Sequence, residues 1–155
     1  METIPIIGIS MGDPFGNGPE LIVQALADKD IYTRCRPLVV GDASSMKYAL
    51  CVAKKVHGIN LGLNVITAPA DGKYIYGAID LIDLNLVPAS EIPQPESPQA
   101  FNKGSTKLGG EASFQYVVKI IQLAMDGEVD ATVTNALSKE AINMAGHDYF
   151  GHTEI

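Results

Sequence analysis

Ile4-Pro5-Ile6-Ile7-Gly8-Ile9-Ser10-Met11-Gly12-Asp13-Pro14-Phe15-Gly16-Asn17-Gly18-Pro19-Glu20 reads as a strand that enters a tight loop and leaves it as a helix. The run up to Met11 is rich in Ile and bounded by turn residues, which suits a strand buried on both faces. Beyond the loop, Leu21, Ile22, Ala25 and Leu26 recur at helical spacing. Pro19 suits the first helical position, where its missing N–H costs nothing. The glycines and prolines between Met11 and Glu20 let the backbone turn tightly and bring unpaired N–H groups of the helix start close to an incoming group. The loop is therefore either an anion site or a simple connection. Neither G-x-G-x-x-G nor a Gly-Lys-Ser/Thr sequence is present, so no generic nucleotide fingerprint applies.

The same rhythm repeats downstream. Arg36 to Val40 is a short apolar run closed by Gly41-Asp42, and Ala43 to Val56 places Met46, Ala49, Leu50 and Ala53 at helical spacing. Alternation of this kind predicts an α/β fold, a mostly parallel sheet covered by helices in three α/β/α layers, with ligands outside the carboxyl ends of the strands. Asp42 reads there as a helix N-cap or as a ligand contact. Leu61 to Thr67 and Gly77 to Leu84 read as further strands. Residues 88–107, with Pro93, Pro95 and Pro98 among polar residues, read as an extended surface connection, either a linker or a long loop. Gly109-Gly110 precede a helix whose Phe114, Val117, Val118, Ile121 and Met125 form one apolar stripe packed on the sheet. Asp126-Gly127 ends it, Ala131 to Thr134 gives a short strand, and Ser138 caps a last helix ending near Gly146.

At 155 residues and 46% hydrophobic content the chain can bury a sizeable core. Its formal net charge of −7, with few and scattered Lys and Arg, argues against a nucleic-acid surface. A compact phosphorylated metabolite stays compatible with that charge, because backbone N–H groups and one or two lysines suffice to hold it. Cys35 and Cys51 lack metal-ligand spacing and read as buried, reduced thiols. No basic leader and no apolar run near the ~20 residues of a membrane span are present, so a cytoplasmic location is expected.

Among the histidines, His57 reads as a helix C-terminal residue, His147 as a turn residue, and His152 as part of a motif. His147 and His152 as a metal pair have no strong geometric warrant at i, i+5 in a loop. Lys139 either holds a phosphate or is a solvated helix-start lysine. Asp13 and Glu20 are ambiguous in the same way, and Glu20 is favoured near a helix N-terminus by the dipole alone.

The opening loop, the segment Thr134-Asn135-Ala136-Leu137-Ser138-Lys139-Glu140-Ala141 and the close Ala145-Gly146-His147-Asp148-Tyr149-Phe150-Gly151-His152-Thr153-Glu154 together resemble the 4-hydroxythreonine-4-phosphate dehydrogenase family of vitamin B6 biosynthesis. Its pattern is similar to M-G-D-P-A-G-I-G-P-E, then T-x-P-x-x-K-E-A, then A-G-x-x-x-x-G-H-T-E. The resemblance runs along the whole of residues 1–155, as the amino-terminal part of the family chain. Residues 130–155 would form the substrate-loop segment, and the remainder of an isocitrate/isopropylmalate-dehydrogenase-like fold would be absent.

The resemblance implies NAD-dependent oxidation and decarboxylation of a 4-phosphorylated 3-hydroxy acid, either 4-phosphooxy-L-threonine or 4-phospho-D-threonate or erythronate. It implies substrate binding by His152 and Thr153, with Lys139 and Asp13 in the active-site vicinity. It also implies a divalent metal (Zn or Mg) whose histidine ligands come from segments farther along the family chain, and a homodimer. Phe15 replaces a usual Ala and Asn17 a usual Ile, so the loop is expected to close differently, and Ala136 in place of Pro is expected to loosen the segment before Lys139. A chain of this extent is expected to be inactive alone. The alternatives are a non-catalytic remnant that binds a phosphorylated ligand or a full-length partner, and an unrelated phosphate-binding α/β module.

Overall fold

The computed structural model describes residues 3–93, 104–149 and 152–155. Its elements follow the strand-then-helix rhythm: β1 (Ile6–Ser10), α1 (Gly18–Leu26), α2 (Ile31–Arg34), β2 (Arg36–Gly41), α3 (Ala43–His57), β3 (Gly62–Ile66), β4 (Ala78–Asp83), α4 (Lys107–Met125), β5 (Ala131–Thr134) and α5 (Lys139–Met144). The strands form one five-stranded sheet in the order β3-β4-β2-β1-β5, with every pairing parallel. Parallel sheets need both faces covered, and helices flank this one in an α/β/α arrangement. Here α1 packs on α3, and α4 lies across β1, β2 and β5.

β1 is the pivot of the sheet. The chain leaves it toward β2 on one side, and β5 returns on the other side with Ile7 opposite Ala131. Asp130 sets that register, taking the Ile6 N–H on its carboxylate at 2.7 Å while its own N–H donates to the Ile6 carbonyl. A crevice therefore opens at the carboxyl ends of β1 and β5, where the direction of winding reverses.

β3 and β4 are parallel neighbours joined through a 3-10 turn, Pro69–Asp71, rather than a full crossover helix. Asp80, buried at 2% exposure, organises this connection by accepting from the Lys73 and Tyr74 N–H groups and from Asn64 Nδ2. A carboxylate taken out of water needs several donors, and the loop supplies them.

α4 departs from its expected form at its start and in its buried face. The helix begins at Lys107, capped by the Thr106 hydroxyl, so Gly109 and Gly110 lie inside its first turns. Its buried face carries Ala112, Ser113, Tyr116, Val117, Ile120 and Leu123, whereas Val118 is 39% and Met125 78% exposed. The face is set by close approach, since small residues point where α5 and the first loop come nearest, and large apolar ones are left at the rim. Cys35 and Cys51 are free thiols, half-buried rather than buried. The core of the proline-rich connection, residues 94–103, lies outside the described residues; its start contains a 3-10 turn, Ala89–Glu91.

Candidate functional site

The loops after β1 and β5 are stitched together by polar contacts. The Asp13 N–H donates to the Ala136 carbonyl at 3.1 Å, Asn135 Nδ2 donates to the Gly18 carbonyl at 2.8 Å, and the Asn135 N–H reaches the Ser10 carbonyl at 3.3 Å. Gly12 makes this approach possible. Its φ is +79°, and a Cβ there would sit 2.5 Å from the Ala136 oxygen. Ala136 thus anchors the segment before Lys139 through its carbonyl, and its N–H meets Asn135 Oδ1 at 2.8 Å. The loosening expected from the missing proline is offset by these bonds.

Phe15 also takes a different role from the one expected. Its ring is 1% exposed and joins the core, with Cδ2 only 3.0 Å from where a Cβ on Gly109 would stand. The larger side chain is turned away from the loop's open side into space that a glycine on α4 provides. Asn17 precedes α1, is exposed, and makes no side-chain cap.

Between these loops lies a cleft of about 290 Å³ lined by Asp13, Gly16, Asn17, Gly104, Ser105, Ala136, Leu137 and Ser138. Asp13 is 7% exposed, and its Oδ1 accepts the Phe15 N–H at 2.9 Å. Burial pushes its carboxyl above the ordinary range, and the Phe15 N–H opposes that only in part. The Ser105 and Ser138 hydroxyls are 2.8 Å apart, and Ser138 Oγ also caps α5 by accepting the Ala141 N–H. Lys139, the next residue, is exposed at the first position of α5.

A larger cleft of about 390 Å³ opens beside the carboxyl ends of β2 and β4, lined by Ser44, Lys47, Asp83 and Asn85 among others. Its acidic group is already committed, because Asp83 Oδ1 takes the N–H groups of Ala43 and Asn85. The smaller cleft is the better candidate, since it joins loops from two motif segments. Asp42 immediately precedes α3 but does not cap it with its side chain. It points inward at 1% exposure and accepts from the Val87 N–H and the Tyr116 hydroxyl, while Asp83 takes the cap position's work.

Asp13 and Ser138, the residue before Lys139, share one cleft, whereas Lys139 is not among its described lining residues. Thr153 is exposed in a 3-10 turn, His152–Glu154, and neither it nor His152 is among the described residues of the cleft lining. The side chain of His152 lies outside the described residues. His57 is the last residue of α3, with its ring 3.4 Å from Gln24 Nε2.

His147 is more than the turn residue expected. Its Nε2 lies 2.7 Å from Glu111 Oε2, and its ring stacks on Phe114 with centroids 3.7 Å apart. Hydrogen bonds from Gln115 and His147 hold the Glu111 carboxyl below its usual range. Ser105, Ser138 and His147 carried no cleft or docking signal in sequence, because each depends on α4 and α5 meeting. Among the described residues no group of three His, Cys, Asp or Glu side chains is placed to hold a metal ion.

A family model described as pyridoxal phosphate biosynthetic protein PdxA matches residues 33–155. The chain is 43% identical, over all 155 residues, to a Symbiobacterium thermophilum protein provisionally named as a D-threonate 4-phosphate dehydrogenase, and covers 43% of that protein. It is 40% identical to the D-threonate 4-phosphate dehydrogenase of Cupriavidus necator over 99% of its own length and 42% of the relative's. A crystal structure of a 4-hydroxythreonine-4-phosphate dehydrogenase from Burkholderia phymatum superposes with a TM-score of 0.85 at 37% identity, covering 99% of this chain and 42% of that one. The chain thus spans less than half the length of these relatives.

Proposed function

The chain belongs to the pyridoxal phosphate biosynthetic protein PdxA family, and on that premise we propose that it forms part of a dehydrogenase acting on a 4-phosphorylated 3-hydroxy acid. The observation that carries the reading is the convergence of two motif loops, through Asp13 and Ser138, on one cleft at the switch point of the sheet. We take D-threonate 4-phosphate as the substrate, rather than the amino acid, because relatives that match over nearly the full chain carry that name. The secondary alcohol beta to the carboxylate is oxidised to a ketone and gives up its proton to solvent, and NAD, when bound, would supply the hydride acceptor. The 3-oxo acid then loses CO2, and the carbon left as an enolate takes up a proton.

Within this chain, His152 and Thr153 donate hydrogen bonds to the substrate, and Lys139 supplies positive charge beside the cleft. The glycine loop forms one wall of the cleft through Asp13, Gly16 and Asn17. A divalent cation would polarise the reacting oxygen. The described residues offer no set of ligands for one, and no step is assigned to a metal held here.

The test is formation of reduced nicotinamide by the full-length protein. Turnover of 4-phospho-D-threonate is expected, and strict preference for 4-phosphooxy-L-threonine would reverse the substrate choice. No turnover of either would leave the second reading, a non-catalytic chain that folds and binds a phosphorylated ligand or a full-length partner. The span of less than half the relatives' length favours that reading for the 155-residue polypeptide taken alone.

A further inference from the structure

α5 is six residues long. An isolated helix shorter than about 12–15 residues is marginal in water, so the place of α5 depends on what holds its two ends. Its amino end is held at the cleft by the Ser138 cap and the Ser105–Ser138 hydroxyl pair. Its carboxyl end closes in a Schellman turn: the Gly146 N–H reaches the Asn143 carbonyl at 3.0 Å, the His147 N–H reaches the Ile142 carbonyl at 3.2 Å, and Gly146 takes a φ of +95°. In such a turn the residue two beyond the cap commonly folds an apolar side chain onto its own helix. Here that residue is a histidine, and it reaches α4.

The contact with α4 is directional. His147 Nε2 lies 2.7 Å from Glu111 Oε2, and because a carboxylate only accepts, Nε2 carries the hydrogen. Gln115 Nε2 donates to the other oxygen, Oε1, at 2.8 Å, which fixes the acceptor from one turn further along α4. The His147 ring lies 15° from parallel with Phe114. Tyr149 sets a second ring at 16° to the same phenyl, and its N–H donates to the His147 carbonyl at 3.0 Å. With side chains 24% and 42% exposed, an ion pair of this kind contributes little to stability by itself. Its placement in the chain gives it another use. Ser138 of the cleft comes nine residues before His147, and His152 five residues after.

We propose that His147 is a positioning residue: held by Glu111 and Phe114, it fixes on α4 the course of the chain from the cleft at Ser138 toward the turn at His152–Glu154, and so sets where Thr153 meets the phosphorylated hydroxy acid. The identity of that ligand rests on the dehydrogenase reading; the grip on α4 does not. A misplacement of about 1 Å, caused far from the chemistry, can cost on the order of a hundredfold in rate, so a contact of this kind governs a site it never touches.

His147→Ala removes both donor and ring, whereas His147→Gln keeps an N–H donor at nearly the reach of Nε2 and a planar group to lie on Phe114. In the full-length protein His147→Ala is expected to raise the KM for 4-phospho-D-threonate about tenfold or more while kcat falls much less, and His147→Gln to return it to within about threefold of wild type. Glu111→Ala should raise the same KM, and the double variant no further than the worse single one, as two halves of one contact do. Should His147→Ala not fold, Glu111→Ala, which leaves the ring on Phe114, carries the same comparison. A lower Tm and kcat with KM unchanged would mean that His147 only stabilises the fold, and would overturn the proposal. A KM that His147→Gln does not restore would overturn it too.

Hydrogen exchange read by mass spectrometry needs no turnover. In His147→Ala of the full-length protein, amides of residues 138–149 are expected to exchange on the order of tenfold faster than in wild type, with those of α4 unchanged and the wild-type rates regained in His147→Gln. Equal exchange in wild type and His147→Ala would show that the segment is held without this contact and would remove the inference. If the wild type forms no reduced nicotinamide with either acid, the dehydrogenase reading fails, and the exchange rates alone decide whether the grip holds.

Discussion

Asp13 is held in a place that favours its protonated form, and this gives its stability effect a definite sign. Its folded carboxyl is raised above the ordinary 3.8 by burial, so the native state binds the proton more tightly than the unfolded chain. The penalty is absent below the unfolded value and complete once pH exceeds the raised folded value. Asp13→Asn, which keeps an acceptor for Phe15, is therefore expected to stabilise the protein at pH 7 by about 1 kcal/mol, a usual size for a single stabilising substitution. The gain should fade as pH falls through the raised folded value and be gone below 3.8, and urea melts above and below that window would reveal it; equal stability at pH 7 would mean that the carboxylate is better solvated than its burial indicates. Asp42 obeys the same sign, being raised by burial and lowered by bonds from Tyr116 and Val87. Tyr116→Phe removes one of those donors from a carboxylate at 1% exposure and should cost about 2 kcal/mol at pH 7. That deficit should shrink in acid, because the variant's Asp42 is more readily protonated, and a deficit independent of pH would point to lost packing instead. The sequence marked Asp13 by its motif and Asp42 by its place before a helix. It could not show which way either carboxylate turned, because Tyr116 reaches Asp42 from 74 residues away.

The strands and helices were legible because their signals are local. The Ile-rich run before Met11, the Gly41-Asp42 turn and the Ser138 cap each act within a few residues, and β1, β2, α3 and α5 formed close to where they were read. The face of α4 was not legible, because it answers to α5. A Cβ on Gly110 would lie 1.8 Å from the Ala141 carbonyl oxygen, so the two helices touch backbone to side-chain-free backbone. Gly110→Ala must push α5 away, and overpacking of this kind costs typically 1–3 kcal/mol, so a loss of about 3 kcal/mol is expected at so short a separation. Because α5 begins at Lys139 and is capped by the cleft residue Ser138, the variant should weaken ligand binding as well as lower Tm. A normal melt with normal binding would mean that α4 and α5 slide freely. His147 belongs to the same junction. Its stack on Phe114 and its 2.7 Å contact with Glu111 could not be read from spacing, since the pair is brought together by the α4–α5 packing that Gly110 permits.

Across the whole molecule, two surface properties oppose each other in solution. The formal charge of −7 keeps copies of the chain apart, whereas β5 lies at the edge of the sheet with all four of its residues exposed. Beside it Ile9, Leu21, Ile22, Ala25, Leu26 and Val133 line a largely apolar groove of about 210 Å³. An edge strand offers unpaired backbone groups to another chain, and adjacent apolar surface strengthens the contact. Charge repulsion acts over roughly 8 Å at physiological ionic strength and over only about 3 Å in 1 M salt, while apolar burial is not weakened by salt. The 155-residue polypeptide is therefore expected to associate in a way that grows with both protein concentration and salt, read as the mass from light scattering. Val133→Lys places a charge at a half-exposed position on that edge and should shift the mass toward the monomer without altering the fold. If salt raised the mass of wild type and variant alike, the contact would lie elsewhere on the surface. If wild type stayed monomeric at every salt concentration, the repulsion would outweigh the edge, and the family's expected homodimer would have to draw on surface that these residues do not supply.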